Sequence, residues 1–174
     1  MKHANVSVFV PHAGCPHQCS FCAQRAISGA QAAPDGAAVA ALCARAEGEL
    51  AQKGRTAQIA FFGGSFTAVP RAYMIELLEA ARPFLGRGVF TGVRISTRPD
   101  CIDDETLDTL ARYGVTAVEL GVQSMDDTVL SKNGRGHTAA DTNRASALVR
   151  AHGLELGLQM MTGLYGANGA SDLM

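Results

Sequence analysis

Apolar runs rich in Val, Ile and Phe alternate along this chain with longer segments of helical period, and glycines punctuate the passage from helix to strand. Parallel strands impose such a pattern, because the next strand is reached only by a crossover long enough to hold a helix. The spacing predicts strands over about 5–10, 58–62, 90–96, 116–122 and 154–161, and helices over about 36–53, 70–83, 103–113 and 138–152. Pro70 fits the first turn of the second helix, and Thr138 with Asp141 reads as a capping box for the fourth. Gly114 and Gly153 each close a helical run before an apolar one, where a left-handed glycine stops a helix without steric cost. Ala30 to Gly36 is the one clear loop-like spacer, and no fixed-period repeat is present. A chain of 174 residues suits a single α/β domain.

In parallel α/β architecture, ligands gather at the carboxyl ends of the strands. The chemically informative residues fall there. Cys15 to Cys22 follow the first predicted strand, Gly63 to Thr67 the second, Arg98 to Asp100 the third, and Gln123 with Ser124 the fourth.

The formal net charge is −1 with no block of like charges, so nothing draws the chain to a nucleic-acid backbone or an anionic membrane. The opening run Val6 to Val10 is too short to span a bilayer and lacks signal-peptide order. A cytoplasmic protein without membrane association is expected. The chain carries five cysteines, an odd count that does not build a disulfide framework. Cys43, on an Ala-rich helical stretch, and Cys101, after a Pro-Asp turn, read as small buried or half-buried side chains.

The other three cysteines form C-x3-C-x2-C within Gly14-Cys15-Pro16-His17-Gln18-Cys19-Ser20-Phe21-Cys22. Three thiolates on one short loop select zinc or an iron–sulfur cluster. A structural zinc needs a fourth ligand, which here is His12, His17 or a remote residue, and would make the chain a noncatalytic zinc-binding module. A cubane cluster on three cysteines instead leaves one iron open to chemistry.

The cysteine spacing, with an aromatic residue before the last cysteine, resembles the signature of the radical S-adenosylmethionine (SAM) superfamily. The resemblance implies a partial (β/α)6 TIM-like barrel with about five βα units, residues 1–174 forming a core truncated at its C-terminus. It implies a 4Fe-4S cluster on Cys15, Cys19 and Cys22, SAM on the open iron, and a 5′-deoxyadenosyl radical that takes hydrogen from substrate. Phe21 would pack beside cluster and adenine. Gly63, Gly64 and Ser65 resemble the motif that meets the SAM amino group, although a pair of glycines also suits a plain tight turn. Ser96 or Thr97 stands where a third-strand side chain hydrogen-bonds SAM, and Gln123 and Gln159 where side chains reach the ribose.

Glu119-Leu120-Gly121-Val122-Gln123-Ser124 with Gly134-Arg135-Gly136-His137-Thr138 resembles the Elongator catalytic-subunit-like and coproporphyrinogen-dehydrogenase-like branch. There Arg135 would hold the SAM carboxylate, its alternative being an ordinary surface ion pair. The branch implies a flavodoxin or ferredoxin as electron donor and either tRNA modification, with RNA as substrate, or oxidative decarboxylation of a porphyrin precursor. Met160 and Met161 read as core filling.

Overall fold

The computed structural model describes residues 4–11, 19–22 and 33–170. Five strands, β1 (Asn5–Val10), β2 (Ala57–Gly63), β3 (Phe90–Thr97), β4 (Val115–Gln123) and β5 (Glu155–Met160), form one sheet in the order β1-β2-β3-β4-β5. Every neighbouring pair is parallel. Sequential order with no reversal is the winding of a barrel, and the sheet with its helices is a partial TIM-like barrel. The helices are α1 (Gly36–Gln52), α2 (Arg71–Ala81), α3 (Asp104–Arg112), α4 (Asp127–Lys132) and α5 (Ala139–Ala151).

Local chemistry accounts for these boundaries. Asp35, Asp103, Asp126 and Thr138 each turn a side-chain oxygen onto the free N–H groups of α1, α3, α4 and α5, and Thr138 with Asp141 forms the full capping box. Pro70 occupies the cap position of α2 rather than its first turn. Gly114 and Gly153 carry φ of 81° and 70°, as helix stops that lead directly into β4 and β5. α4 is absent from the sequence expectation because six residues hold too little helical period to register.

The outer face of the sheet carries Ile59, Phe61, Val93, Ile95, Val118 and Leu120, packed against Val39, Cys43, Leu77, Leu78, Leu107, Leu110 and Val149 of the helices. Strands buried on both sides read as near-continuous apolar runs, and β2 does so from Ile59 to Phe62, with Gln58 as its one polar side chain. The inner face is polar. Arg94, buried to 6% exposure, donates from Nε to Gln58 at 2.9 Å and bridges Glu119 at 3.1 Å and Glu155 at 2.9 Å. Gly157 gives that network room, since a Cβ there would lie 3.0 Å from the Glu119 side chain.

β1 and β5 are the two free edges of the sheet among the described residues. Met160 and Met161, expected as core filling, are instead exposed, at 47% and 40%, because β5 has no neighbour beyond it. Leu158 is 49% exposed on the same strand. An edge strand with uncovered apolar side chains is a template for further pairing. The 174-residue chain is therefore expected to self-associate as concentration rises in sedimentation velocity. The double replacement Leu158→Lys/Met160→Lys should return it to monomer with unchanged far-ultraviolet circular dichroism. A wild-type chain that stays monomeric at high concentration would refute this account of the edge.

Candidate functional site

At the carboxyl rim of the sheet, a cavity of about 170 Å³ is lined by residues from the ends of β2, β3, β4 and β5, from the loop after α4, and from the cysteine segment. Of the residues singled out from sequence, Cys19, Phe21, Cys22, Gly63, Gly64, Ser65, Ser96, Thr97, Gln123, Arg135 and Gln159 all line it. Cys15, with His12 and His17, lies outside the described residues.

Cys19 is buried, and Cys22 N–H donates to the Cys19 carbonyl at 3.0 Å, turning the two thiols onto one short bend. The bend is pinned to the end of α4: Ser20 donates from its backbone to the Asn133 carbonyl at 3.1 Å and from its hydroxyl to Asn133 Oδ1 at 2.9 Å. Asn133 is itself held through its amide by the Val129 and Tyr165 carbonyls.

At the end of β2, Gly63 has φ of 117°, and a Cβ there would strike the Val10 carbonyl oxygen at 2.5 Å. Gly64 N–H donates to that same oxygen at 2.8 Å, so the double glycine draws the loop against β1. Phe66 then stacks on Phe61 with ring centroids 4.7 Å apart, fixing Ser65 between two anchors. Ser65, Thr67 and Thr97 form a chain of hydroxyl contacts at 2.8 and 2.6 Å. Ser96 turns the other way, donating to Glu119 Oε2 at 3.3 Å, and Gln159 Nε2 donates to that same oxygen at 2.6 Å.

Gln123, with φ of 71°, is the one non-glycine among the described residues in the left-handed region. That conformation costs about 1–3 kcal/mol. It follows a slip in the pairing of β4 with β5 between Leu120 and Gln123, the kind of irregularity that re-aims side chains beside a site. The carbonyl of Gly121, inside this slip, accepts from Arg135 Nη2.

Arg135 is only 7% exposed and has no carboxylate partner among the described residues, so it is not the surface ion pair its sequence also allowed. Nη1 donates to Cys19 Sγ at 3.3 Å, and the guanidinium lies 5.8 Å from the centre of the Phe21 ring. Its Nε is buried without a hydrogen-bond partner among the described residues. A buried charged donor left open is costly unless something with negative charge meets it.

Two further residues line the cavity, Gly121 and Arg98, which the sequence motifs contain but to which sequence reasoning gave no role. Gly121 carries no side chain, and its part is read only from the pairing slip. Arg98 grips Asp100 through both carboxylate oxygens, at 2.9 and 3.0 Å, and donates to the Arg135 carbonyl. Its position beside Ser96 and Thr97 was visible in sequence. Its duty of holding the Arg135 backbone joins segments far apart in the chain and was not.

The chemistry of these walls suits an iron–sulfur cluster and a zwitterionic ligand: soft thiols, an unsatisfied guanidinium nitrogen, and glycines at the closest backbone approaches.

Behind the rim, His137 is buried with Nε2 3.2 Å from the Val122 carbonyl. A carbonyl only accepts, so Nε2 carries the hydrogen, and Nδ1 is the bare nitrogen left without a partner among the described residues. Burial, with Arg135 and Arg98 nearby, pushes His137 down to about 4. The neutral ring is the form that folds.

The family described as the radical SAM superfamily matches residues 9–172. The tRNA uridine(34) acetyltransferase of Dehalococcoides mccartyi is 38% identical over 82 residues, 47% of this chain and 18% of that protein. Elongator complex protein 3 of Schizosaccharomyces pombe is 38% identical over 119 residues, 59% of this chain and 22% of that protein. The chain thus spans about a fifth of the length of these relatives. Among solved structures, the archaeal Methanocaldococcus infernus Elp3 with an N-terminal deletion has a TM-score of 0.67 at 22% identity, covering 97% of this chain and 40% of that one. The anSMEcpe structure with bound AdoMet has a TM-score of 0.66 at 17% identity, covering 90% of this chain and 43% of that one. At these identities the structural likeness establishes the fold.

The unfolded state takes up a proton on His137 near pH 6.5 and the folded state only near pH 4. Stability from this group is therefore whole above about pH 6.5 and falls as pH drops toward 4, by about 3 kcal/mol in all. Urea unfolding across that window should show the loss in the wild type and a smaller slope in His137→Asn. Identical slopes would show that His137 does not titrate this way.

Proposed function

The chain belongs to the radical SAM superfamily, and from that premise we propose that the rim cavity takes SAM while Cys15, Cys19 and Cys22 hold a 4Fe-4S cluster beside it. When bound and reduced, such a cluster supplies the electron that splits the SAM sulfonium and so yields a 5′-deoxyadenosyl radical able to take hydrogen from substrate. The observation that carries the assignment is the buried Arg135: its guanidinium touches Cys19 and still has an open Nε. In this reading Arg135 binds the SAM carboxylate through Nε, the Gly121 carbonyl keeps its planar fork from swinging away, and Arg98 holds its backbone carbonyl.

Ser96, Gln123 and Gln159 supply polar contacts to the ribose side of the cofactor. Glu119 orients two of them by accepting from both, and the Arg94 ion pair orients Glu119. Phe21 covers the guanidinium and helps exclude water from the cluster side. Gly63 and Gly64 let backbone come close where a Cβ would obstruct.

The substrate reading is tRNA modification, supported by the acetyltransferase and Elongator relatives. The chain then supplies five strands of the barrel and the helical crossovers between them, with β5 the edge where a sixth strand would pair. A flavodoxin or ferredoxin serves as reductant, and the enzyme works in the cytoplasm. No helix among the described residues is long and apolar enough to cross a membrane.

Anaerobic reconstitution should load about four irons and matching labile sulfide per chain. Stoichiometric zinc without sulfide would overturn the assignment. With the cluster intact by its absorption, Arg135→Ala should weaken SAM about 10- to 100-fold in calorimetry, the cost of one charge-assisted hydrogen bond. Unchanged affinity would remove Arg135 from the cofactor site.

A further inference from the structure

Three guanidiniums converge on the outside of the barrel, away from the rim. Arg71 opens α2, Arg82 follows its last turn, and Arg112 closes α3; with Ile75, Thr109 and Tyr113 they line a second cavity, of about 470 Å³. One buried hydroxyl gathers two of them. Thr109 is 1% exposed, and its Oγ1 gives its single hydrogen to the Glu105 carbonyl, 2.9 Å away in the preceding turn. Both lone pairs then accept, from Arg71 Nη2 at 3.0 Å and from Arg112 Nη2 at 3.1 Å. Two cations are held on one oxygen atom.

Like charges this close repel, and an anion set between them turns the repulsion into attraction on both sides. The chain provides little. Glu105, its side chain 79% exposed, pairs with Arg71 at 3.1 Å, while Glu79 takes the Tyr113 hydroxyl at 3.1 Å. Arg82 lies with its guanidinium 6.0 Å from the centre of the Tyr113 ring, and neither it nor Arg112 meets a carboxylate among the described residues. Three cations therefore face one cavity with a single paired carboxylate.

We infer that this groove is a track for the phosphate backbone of the RNA substrate, an assignment that rests on the tRNA reading above and gives it a surface. A guanidinium presents parallel donors that match phosphate oxygens, whatever the base attached. From Arg71 to Arg82 the helix rises about 16 Å, long enough for a strand to present more than one phosphate. The loop after β2 leads from the rim into α2, so the Arg71 end of the groove is the end nearer the SAM cavity. An RNA that enters the rim can thus lay its flanking backbone here. An acidic reductant fits the place less well, because the cysteines lie at the rim while α2 and α3 stand on the outer face. A net charge of −1 without charge blocks gave no sign of the groove, since residues 71, 82 and 112 meet only in the fold.

The test is fluorescence anisotropy of a labelled tRNA transcript on the cluster-loaded chain, read across a salt series. The triple variant Arg71→Gln/Arg82→Gln/Arg112→Gln should weaken binding about 10- to 100-fold and reduce the slope of log affinity against log salt by about two to three. Lysine at the same three positions should keep the wild-type slope. Arg45→Gln/Arg55→Gln/Arg150→Gln removes the same charge from other exposed positions and should bind within about three-fold of the wild type, because screening confines the effect of distant charges. Calorimetry with S-adenosylhomocysteine should give the wild-type affinity for every variant, since none of these residues lines the rim cavity. Equal weakening by the two glutamine triples would reduce the effect to diffuse charge and overturn the groove. Unchanged RNA binding by the groove triple would overturn it too, including the case in which only the affinity for a flavodoxin falls. A wild-type chain that holds its cluster and S-adenosylhomocysteine but binds no RNA would instead sink the tRNA reading, and the groove with it.

Discussion

A parallel strand cannot be joined to its neighbour by a tight turn. Each of the five strands must be left at its carboxyl end and re-entered from the opposite side of the sheet, so every outgoing loop opens on the same rim. The site depends on this constraint more than on any single contact. It brings the end of β2 and its loop, the end of β3 with Arg98, the end of β4 and the end of β5 to one cavity, although these segments share no local sequence. The helices contribute by covering the outer face, which leaves the rim free to be polar.

Below the rim, the inner face is organised by one guanidinium. Arg94 holds Gln58, Glu119 and Glu155, on β2, β4 and β5, and so ties together three strands besides its own. Burying such a charge is expensive unless every donor is met, and here Nε and both terminal nitrogens have acceptors. The network then hands its rigidity upward. Glu119 accepts from Ser96 and Gln159, so the two side chains share one reference point deep in the barrel. Gly157 permits this because no side chain competes with Glu119 for the space.

Much of this was legible in the chain itself, for identifiable reasons. The strand and helix alternation, the Thr138 capping box and the glycine stops at 114 and 153 are local effects, decided within a few residues. Most residues that line the cavity were legible because they sit at or just after the carboxyl end of a strand, and Arg135, which follows α4, because of its spacing from Gln123. What was not legible is long-range or conformational. Gln123 has no sequence mark for a left-handed backbone, which is imposed by the slipped pairing of β4 and β5. The roles of Arg98 and Glu119 appear only when partners from different loops and strands meet. The exposure of Met160 and Met161 depends on a neighbour, and periodicity says nothing of neighbours.

The sequential strand order also has a kinetic meaning. Each strand pairs with the one made just before it, so the sheet can grow in the direction of synthesis, one βα unit docking on the last. The slowest closure by chain entropy is the first, since pairing Asn5 with Gln58 must enclose the cysteine segment and the whole of α1. Later strands join a platform already in place. A ribosome-bound chain would therefore carry a growing edge at every stage, and the cysteine segment would be drawn into its loop early, before β3, β4 and β5 supply the rest of the cavity wall.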